Sequence, residues 1–198
     1  MHNWKEDEQK LYAPPDSPQV IHVPKQSYFI IDGASTREES STAERIETLI
    51  ALSEAVKRMP DSGYSPPGFT DYCVYPLERL IHSSTSTGGL ADNSSWMIRQ
   101  PNFIDNEVIC RAFRLLYSEK NLPHLPEVAF EEFEDGLSVQ VRVPNKPQKR
   151  QMASEAIEHF LLENGWKRRT DTYREIFCSS NLQASDEVIY RVFVEEAQ

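Results

Sequence analysis

The sequence predicts an α+β protein made of two strand-helix-strand-strand halves, with antiparallel sheets and helices packed on one face. Two observations support this prediction. The order strand, helix, strand, strand occurs twice, over residues 28–83 and again over 137–194. The helical segment in each stretch carries its apolar residues on one face, as helices that cover a sheet do. The stretches share no residue-level repeat, so only the order of the elements is repeated.

A proline-rich segment precedes the first half. Residues 1–25 contain four prolines among mixed charges, which favours an extended arm. We place this arm at residues 1–22 and a single domain at 23–198. The apolar run Tyr28–Ile31, closed by Asp32-Gly33, then predicts a buried strand.

A helix and two further strands complete the first half. The serines and threonine at 40–42 can cap a helix that ends near Met59, before the proline that stops it. Strands are predicted at Phe69–Tyr75 and Leu77–Ser83, on either side of a proline that marks an edge or corner.

The two halves, at about 27–84 and 126–195, are linked by a polar loop and a helix. Residues 83–95 are rich in serine, threonine and glycine, which is typical of a loop. Asp105 is a suitable N-cap for a helix that runs to Glu119. Its predicted inward residues are Val108, Ile109, Ala112, Phe113, Leu116 and Tyr117.

The second half begins with a predicted β-hairpin. Val128–Glu134 and Leu137–Val143 flank Asp135-Gly136, a common hairpin turn. An apolar stripe predicts a helix over Met152–Glu163, with Asn164-Gly165 as its C-terminal cap. The last two predicted strands are Tyr173–Ser179 and Val188–Val194.

Composition excludes several classes of function. Lysine and arginine number 21 against 31 aspartates and glutamates, so the net charge is −10 and the surface repels nucleic acid. No stretch has the roughly 20 apolar residues that span a membrane, and no secretory leader is visible. The three cysteines, without Cys-x-x-Cys spacing, indicate reduced thiols and a cytoplasmic protein.

The chain carries no motif for a metal or a cofactor. Its five histidines are dispersed, without the spacing that zinc sites use. Its seven glycines form neither a phosphate loop nor a dinucleotide fingerprint. We therefore expect no metal and no cofactor.

The strongest chemical signal is a carboxylate between two aromatic residues on a predicted central strand. Alternation places Tyr173, Glu175 and Phe177 on one face. A lone acid among aromatic rings suits a site for a cationic or proton-donating apolar ligand. The alternative is that Glu175 forms an ion pair with an arginine such as Arg191 on the adjacent strand.

Trp96 and Met97 are further candidates for the walls of a pocket. They stand directly after the polar loop, where a large ring and a flexible thioether can line a cavity. The alternative is that both residues anchor this loop to the core.

Several motifs together resemble the GyrI-like small-molecule-binding family, in its stand-alone branch without a DNA-binding domain. The resemblance covers roughly residues 20–195. The motifs are Val23-Pro24 to Asp32-Gly33, Tyr75-Pro76-Leu77-Glu78, Trp96-Met97-Ile98-Arg99-Gln100-Pro101-Asn102-Phe103, Glu134-Asp135-Gly136-Leu137-Ser138-Val139-Gln140 and Glu175-Ile176-Phe177-Cys178-Ser179. It implies two halves related by a pseudo-twofold axis, with a ligand in the groove between them above a buried glutamate. Glu175 occupies that glutamate's position, and the pocket walls implied are Trp96, Met97, Tyr173 and Phe177.

The resemblance leaves three hypotheses. The first is capture of an amphipathic, cationic or electrophilic small molecule. The second is hydrolysis of reactive cyclopropane-type compounds, with Glu175 as the catalytic residue that activates water. The third is a gyrase-inhibitor-like interaction with a basic protein. Departures from the family pattern, such as Arg174-Glu175 where relatives have His-Glu, remove groups that could position water and favour binding over catalysis.

Overall fold

The computed structural model describes residues 1–33, 39–82, 94–119, 121–178 and 186–197, without the side chains of residues 39 and 40. Its helices are α1 (Trp4–Asp7), α2 (Gln9–Tyr12), α3 (Glu39–Lys57), α4 (Asn106–Glu119) and α5 (Pro147–Asn164). Its strands are β1 (Gln19–Val23), β2 (Gln26–Asp32), β3 (Leu77–Ile81), β4 (Ser94–Gln100), β5 (Ala129–Phe133), β6 (Gly136–Pro144), β7 (Trp166–Phe177) and β8 (Glu187–Glu196).

The described strands form one antiparallel sheet in the order β1-β6-β8-β7-β3-β4-β2-β5. Two units, β2-α3-β3-β4 and β6-α5-β7-β8, have the same internal arrangement, because the last strand of each lies between its first two. The units meet where β3 pairs with β7. A twofold axis between these two strands would produce this order. The predicted α+β class with antiparallel strands is confirmed.

The three long helices lie on one face of the sheet. α3 packs on β2 and β4 with α4 beside it, and α5 packs on β6, β7 and β8. The buried residues of α3 include Leu49, Leu52, Ser53 and Val56. α5 begins at Pro147, five residues before the predicted start, because proline fits the first helical turn.

The linking helix α4 begins as predicted. The Asp105 carboxylate accepts a hydrogen bond from the Val108 amide at 2.9 Å and so caps the first turn. Val108, Ala112 and Leu116 are buried. Tyr117 was predicted to face inward and is instead 59% exposed, because it lies at the margin of the stripe.

Replacing Asp105 with alanine should lower the free energy of unfolding by about 1 kcal/mol, the usual contribution of an N-cap. Urea unfolding measures the change. Glu107→Ala is the matched control, since it removes an exposed carboxylate that pairs with Arg111 and should cost at most about 0.5 kcal/mol. Equal losses in the two variants would show that the cap is not what stabilises α4.

The predicted hairpin across Asp135-Gly136 is wrong. β5 pairs with β2, whereas β6 pairs with β1 and β8. Gly136 has a φ of 64°, so the turn conformation is present, but it carries the chain from one end of the sheet to the other. The Asp-Gly pair therefore signals a turn without deciding which strands pair.

The sheet must curl so that its two ends approach each other. β1 and β2 are six strand spacings apart, which would be about 29 Å in a flat sheet. Only Pro24 and Lys25 lie between them, and an extended chain from Val23 to Gln26 reaches at most about 11 Å. The face away from α3 and α5 is therefore enclosed by the sheet itself.

Residues 1–22 do not form an extended arm. Their α1 and α2 helices bury Trp4 and Tyr12, and the Trp4 indole N–H donates to the Val74 carbonyl at 2.9 Å. β1 adds an edge strand to β6. Both aromatic side chains belong to the main apolar cluster, together with Leu49 and Val56 of α3, and so attach the segment to the core in spite of its prolines.

The two strands and the loop predicted between residues 69 and 95 agree only in part with the structure. Leu77–Ser83 contains the observed β3, but Phe69–Tyr75 forms no strand and makes only the isolated bridge between Tyr72 and His2. Its rings pack on Phe103 instead of extending the sheet. Of the predicted loop 83–95, residues 94 and 95 belong to β4 and the others lie outside the described residues.

Candidate functional site

A groove of about 740 Å³ lies between α5 and the centre of the sheet. β3, β7 and β8 supply its floor, and the first three turns of α5 supply one wall. It thus follows the line along which the two units meet. The lining residues are Arg79, Ile81, Pro147, Arg150, Gln151, Ser154, Glu158, Arg168, Asp171, Tyr173, Glu175 and Tyr190.

Glu175 lies on the floor of this groove and is only 2% exposed. One carboxylate oxygen, Oε1, is 3.3 Å from the Arg150 Nη1 atom. The other, Oε2, is buried and has no hydrogen-bond partner within the described part of the chain. Burial raises the pKa of Glu175, and the nearby charges of Arg150 and Arg79 oppose this shift.

Glu175 therefore agrees in part with both interpretations from the sequence, the pocket carboxylate and the ion pair with an arginine. It faces a groove and it also has an arginine partner, but that partner is Arg150 of α5. Arg191 lies on the opposite face of the sheet, where its Nε donates to Gln140 at 3.0 Å. Alternation along β8 places Arg191 away from the groove, next to Tyr190 that lines it.

Two stacked rings accompany Glu175 on the same face of the sheet. Trp96 and Phe177 have ring centroids 5.9 Å apart, and each is 8% exposed. The Arg79 guanidinium lies 5.3 Å from the Trp96 ring, and the Arg150 guanidinium lies 5.9 Å from the Phe177 ring. These rings support the two arginines that flank the carboxylate.

Tyr173 lines the groove beside Tyr190, with ring centroids 4.7 Å apart. Met97 does not line it. Met97 is fully buried on the other face of β4, where its sulfur lies 3.1 Å from the Arg174 Nη1 atom. Trp96 and Met97 are adjacent in a strand, so they point to opposite faces and cannot both be walls of one pocket.

The polar side of the groove on α5 was not predicted from the sequence. Arg150, Ser154 and Glu158 are spaced four residues apart and therefore share one helix face. Glu158 pairs with Arg168 of β7. The polar residues at this four-residue spacing, beside the apolar stripe of the same helix, are the sequence signal that could have predicted this wall of the groove.

The opposite face of the sheet holds a buried ionic cluster of Glu78, Asp135, Arg174 and Arg191. Arg174 donates to Glu78 at 2.8 Å and to Asp135 at 2.6 Å, and Arg191 lies 3.7 Å from Asp135. Burial raises the pKa of Glu78, although the charge of Arg174 opposes it. Burial lowers the pKa of the Arg174 guanidinium, but Tyr28 and the carboxylates of Asp135 and Glu78 together raise it well above its usual value.

The N-terminal helices close this face. Arg191 donates to the Leu11 carbonyl at 2.9 Å, and Gln140 donates to the Lys10 carbonyl at 2.7 Å. Arg99 donates to Glu8 and, at 3.1 Å, to the Tyr12 hydroxyl. The enclosed face thus holds a network of ion pairs and hydrogen bonds, although Glu78 Oε1 and Arg174 Nε have no hydrogen-bond partner among the described residues.

Neither a metal site nor a membrane span is found in the described residues. No three histidine, cysteine, aspartate or glutamate side chains there are grouped so that they could hold a metal ion. None of the described helices is long and apolar enough to cross a membrane.

Solved structures share this fold. Two hydrolase structures from Listeria innocua match with TM-scores of 0.84 and 0.88, at 23% and 22% sequence identity, and both cover 98% of this chain and at least 99% of their own. The EcmrR C-terminal domain matches with a TM-score of 0.51 at 13% identity, over 91% of this chain and 98% of that domain. No protein-family model and no curated protein matches the sequence. These similarities establish the fold.

Proposed function

We propose that this chain is a GyrI-like small-molecule-binding protein that captures amphipathic compounds in the groove above Glu175. The observation that carries the proposal is a buried carboxylate on the floor of a groove of about 740 Å³. This volume lies within the range of known ligand pockets, roughly 300–1,000 Å³. Tyr173 and Tyr190 supply aromatic surface in the groove, while the stacked rings of Trp96 and Phe177 lie against the arginines Arg79 and Arg150 and are not among the lining residues. The EcmrR domain, a part of a protein that was solved in complex with DNA, has a similar fold.

The acidic chain and its free cysteines fit a cytoplasmic protein that works without nucleic acid. Cys73, Cys110 and Cys178 form no disulfide. We propose that residues 1–22 belong to the same folded unit as residues 23–198, because α1 and α2 complete the enclosed face.

Filling the groove should weaken ligand binding. Ser154→Trp places a large ring in the wall of the groove and should weaken the binding of Nile red, a neutral amphipathic dye, at least about tenfold through steric exclusion. Fluorescence titration of the purified protein measures the affinity.

The matched control is Met152→Trp on the outer face of α5, where Met152 is 54% exposed. This variant adds the same ring to the same helix and should bind the dye like the unchanged protein. Equal affinities for Ser154→Trp and Met152→Trp would show that the dye does not use the groove.

A second candidate function is hydrolysis, with Glu175 as the general base. The observation that favours it is the raised pKa of this buried carboxyl, because a base works best when its pKa lies near the working pH. Glu175 would take a proton from water while the water oxygen bonds to an electrophilic ring carbon. The ring bond breaks, and its electrons move to the conjugated oxygen of the substrate. The likeness to hydrolases from Listeria innocua agrees with this candidate.

A further inference from the structure

A cation from the protein itself already occupies the place next to Glu175 that a cationic ligand would need. Arg150 lies 3.3 Å from the Glu175 carboxylate and 5.9 Å from the centre of the Phe177 ring. The carboxylate and the aromatic ring are the two groups that the sequence analysis assigned to a cationic ligand. A ligand with a positive charge must therefore displace Arg150 before it can use either group.

Displacing Arg150 is unfavourable because several contacts hold it in place. Its Nη2 donates to the Asn145 side chain, and its side chain is only 29% exposed. Moving Arg150 away would leave the buried Glu175 carboxylate without this counter-charge, because Glu175 is only 2% exposed.

The opposite side of Glu175 carries a second guanidinium. Arg79 is the direct partner of Glu175 in the β3–β7 register and lies over the Trp96 ring. The end of the groove near the stacked rings thus has two arginines around one carboxylate. Glu158 of the groove lies two helical turns from Arg150 along α5 and pairs with Arg168.

We propose that Arg150 is a ligand-binding residue that determines specificity, and that the groove prefers amphipathic carboxylates and related oxyanions over cations of the same size. The inference rests on the proposed function, since both concern the same groove. An oxyanion accepts hydrogen bonds from the guanidinium in a charge-assisted geometry.

Two pyrene compounds test the preference, because they differ only in their charged group. 1-Pyrenebutyrate carries a carboxylate, and 1-pyrenebutylamine carries an ammonium. The unchanged protein should bind the carboxylate more tightly. Arg150→Met keeps the length of the side chain without its charge, and should shift the affinity ratio towards the amine at least about tenfold. Fluorescence titration at fixed ionic strength measures both affinities, and Arg150→Lys should keep the preference for the carboxylate.

Two controls separate the inference from the proposed function. Lys149→Met removes a positive charge from an exposed position next to Arg150 that does not line the groove, and should change the ratio less than about twofold, since solvent and salt screen an exposed charge. An unchanged ratio in Arg150→Met, or an equal shift in Lys149→Met, overturns the role of Arg150. Undiminished binding of both compounds by Ser154→Trp overturns the groove as the ligand site, and with it the proposed function.

Discussion

Replacing Arg174 with methionine is expected to lower the free energy of unfolding by about 3–5 kcal/mol at neutral pH, the usual result of removing one member of a buried ion pair. Arg174 is fully buried and binds Glu78 and Asp135 at once. Methionine fills a similar volume but leaves both buried carboxylates without their main counter-charge. Chemical unfolding in urea, followed by circular dichroism, measures the loss.

The loss should shrink in acid. The pKa of Glu78 is already raised by burial, and without Arg174 this shift should grow. A carboxyl whose pKa is higher in the folded state binds more protons folded than unfolded. Its ionisation therefore destabilises the protein as the pH rises above its ordinary pKa of 4.5. We expect the variant to approach the stability of the unchanged protein as the pH falls towards that value.

Two further variants test the explanation. Lys167→Met removes an exposed positive charge from the same strand and should change stability by at most about 0.5 kcal/mol. Combining Arg174→Met with Glu78→Met and Asp135→Asn removes the carboxylates as well and should recover most of the loss. A single Arg174→Met variant as stable as Lys167→Met would contradict the importance of the ionic cluster.

The part of the site that depends on strand alternation could be predicted from the sequence. Tyr173, Glu175 and Phe177 share a face because side chains alternate along β7, whatever lies next to that strand. The same rule excludes Met97 once Trp96 is placed on the groove side. Both residues were predicted as pocket walls from their position after the polar loop and again from the family resemblance, and strand alternation excludes this for Met97.

Contacts between distant parts of the chain could not be predicted in this way. The Asp-Gly turn is a local signal, whereas the strands that β5 and β6 join depend on the curl of the whole sheet. Arg150 reaches Glu175 from another element, and no sequence spacing encodes that approach. The prolines near the N-terminus predicted an extended arm. Composition alone does not show that Trp4 and Tyr12 are buried against the rest of the protein, so this prediction was wrong.

Glu175→Gln should have opposite effects on stability and on activity. Glutamine has the same size as glutamate but no charge. The buried side-chain oxygen that lacks a hydrogen-bond partner then belongs to a neutral amide, which costs less to bury than a carboxylate. The free energy of unfolding at neutral pH should rise by about 1 kcal/mol, at the lower end of the cost of burying an unsatisfied polar group. Arg150 loses its partner, but its partly exposed side chain can turn towards solvent.

The pH dependence of this gain has a defined sign. Since burial raises the pKa of Glu175, the folded protein binds the proton more tightly than the unfolded chain. The stability of the unchanged protein should therefore fall as the pH rises from 4.5 towards the raised pKa, and this part of the decline should be absent in Glu175→Gln. Urea unfolding at several pH values measures it, with Glu158→Gln as the matched control at an exposed carboxylate of the groove.

If the groove hydrolyses electrophiles, the same substitution should slow the reaction at least about 100-fold, because the general base is lost. Ring opening of a cyclopropane-fused dienone, followed by absorbance, provides the assay. If the Glu175→Gln variant is more stable and still binds the dienone, yet does not open its ring, Glu175 is assigned to catalysis. A carboxylate with only a structural role would instead lower the free energy of unfolding when it is replaced. Unchanged turnover in Glu175→Gln would exclude Glu175 as the general base, whereas no turnover by the unchanged protein would leave binding as the function of the groove.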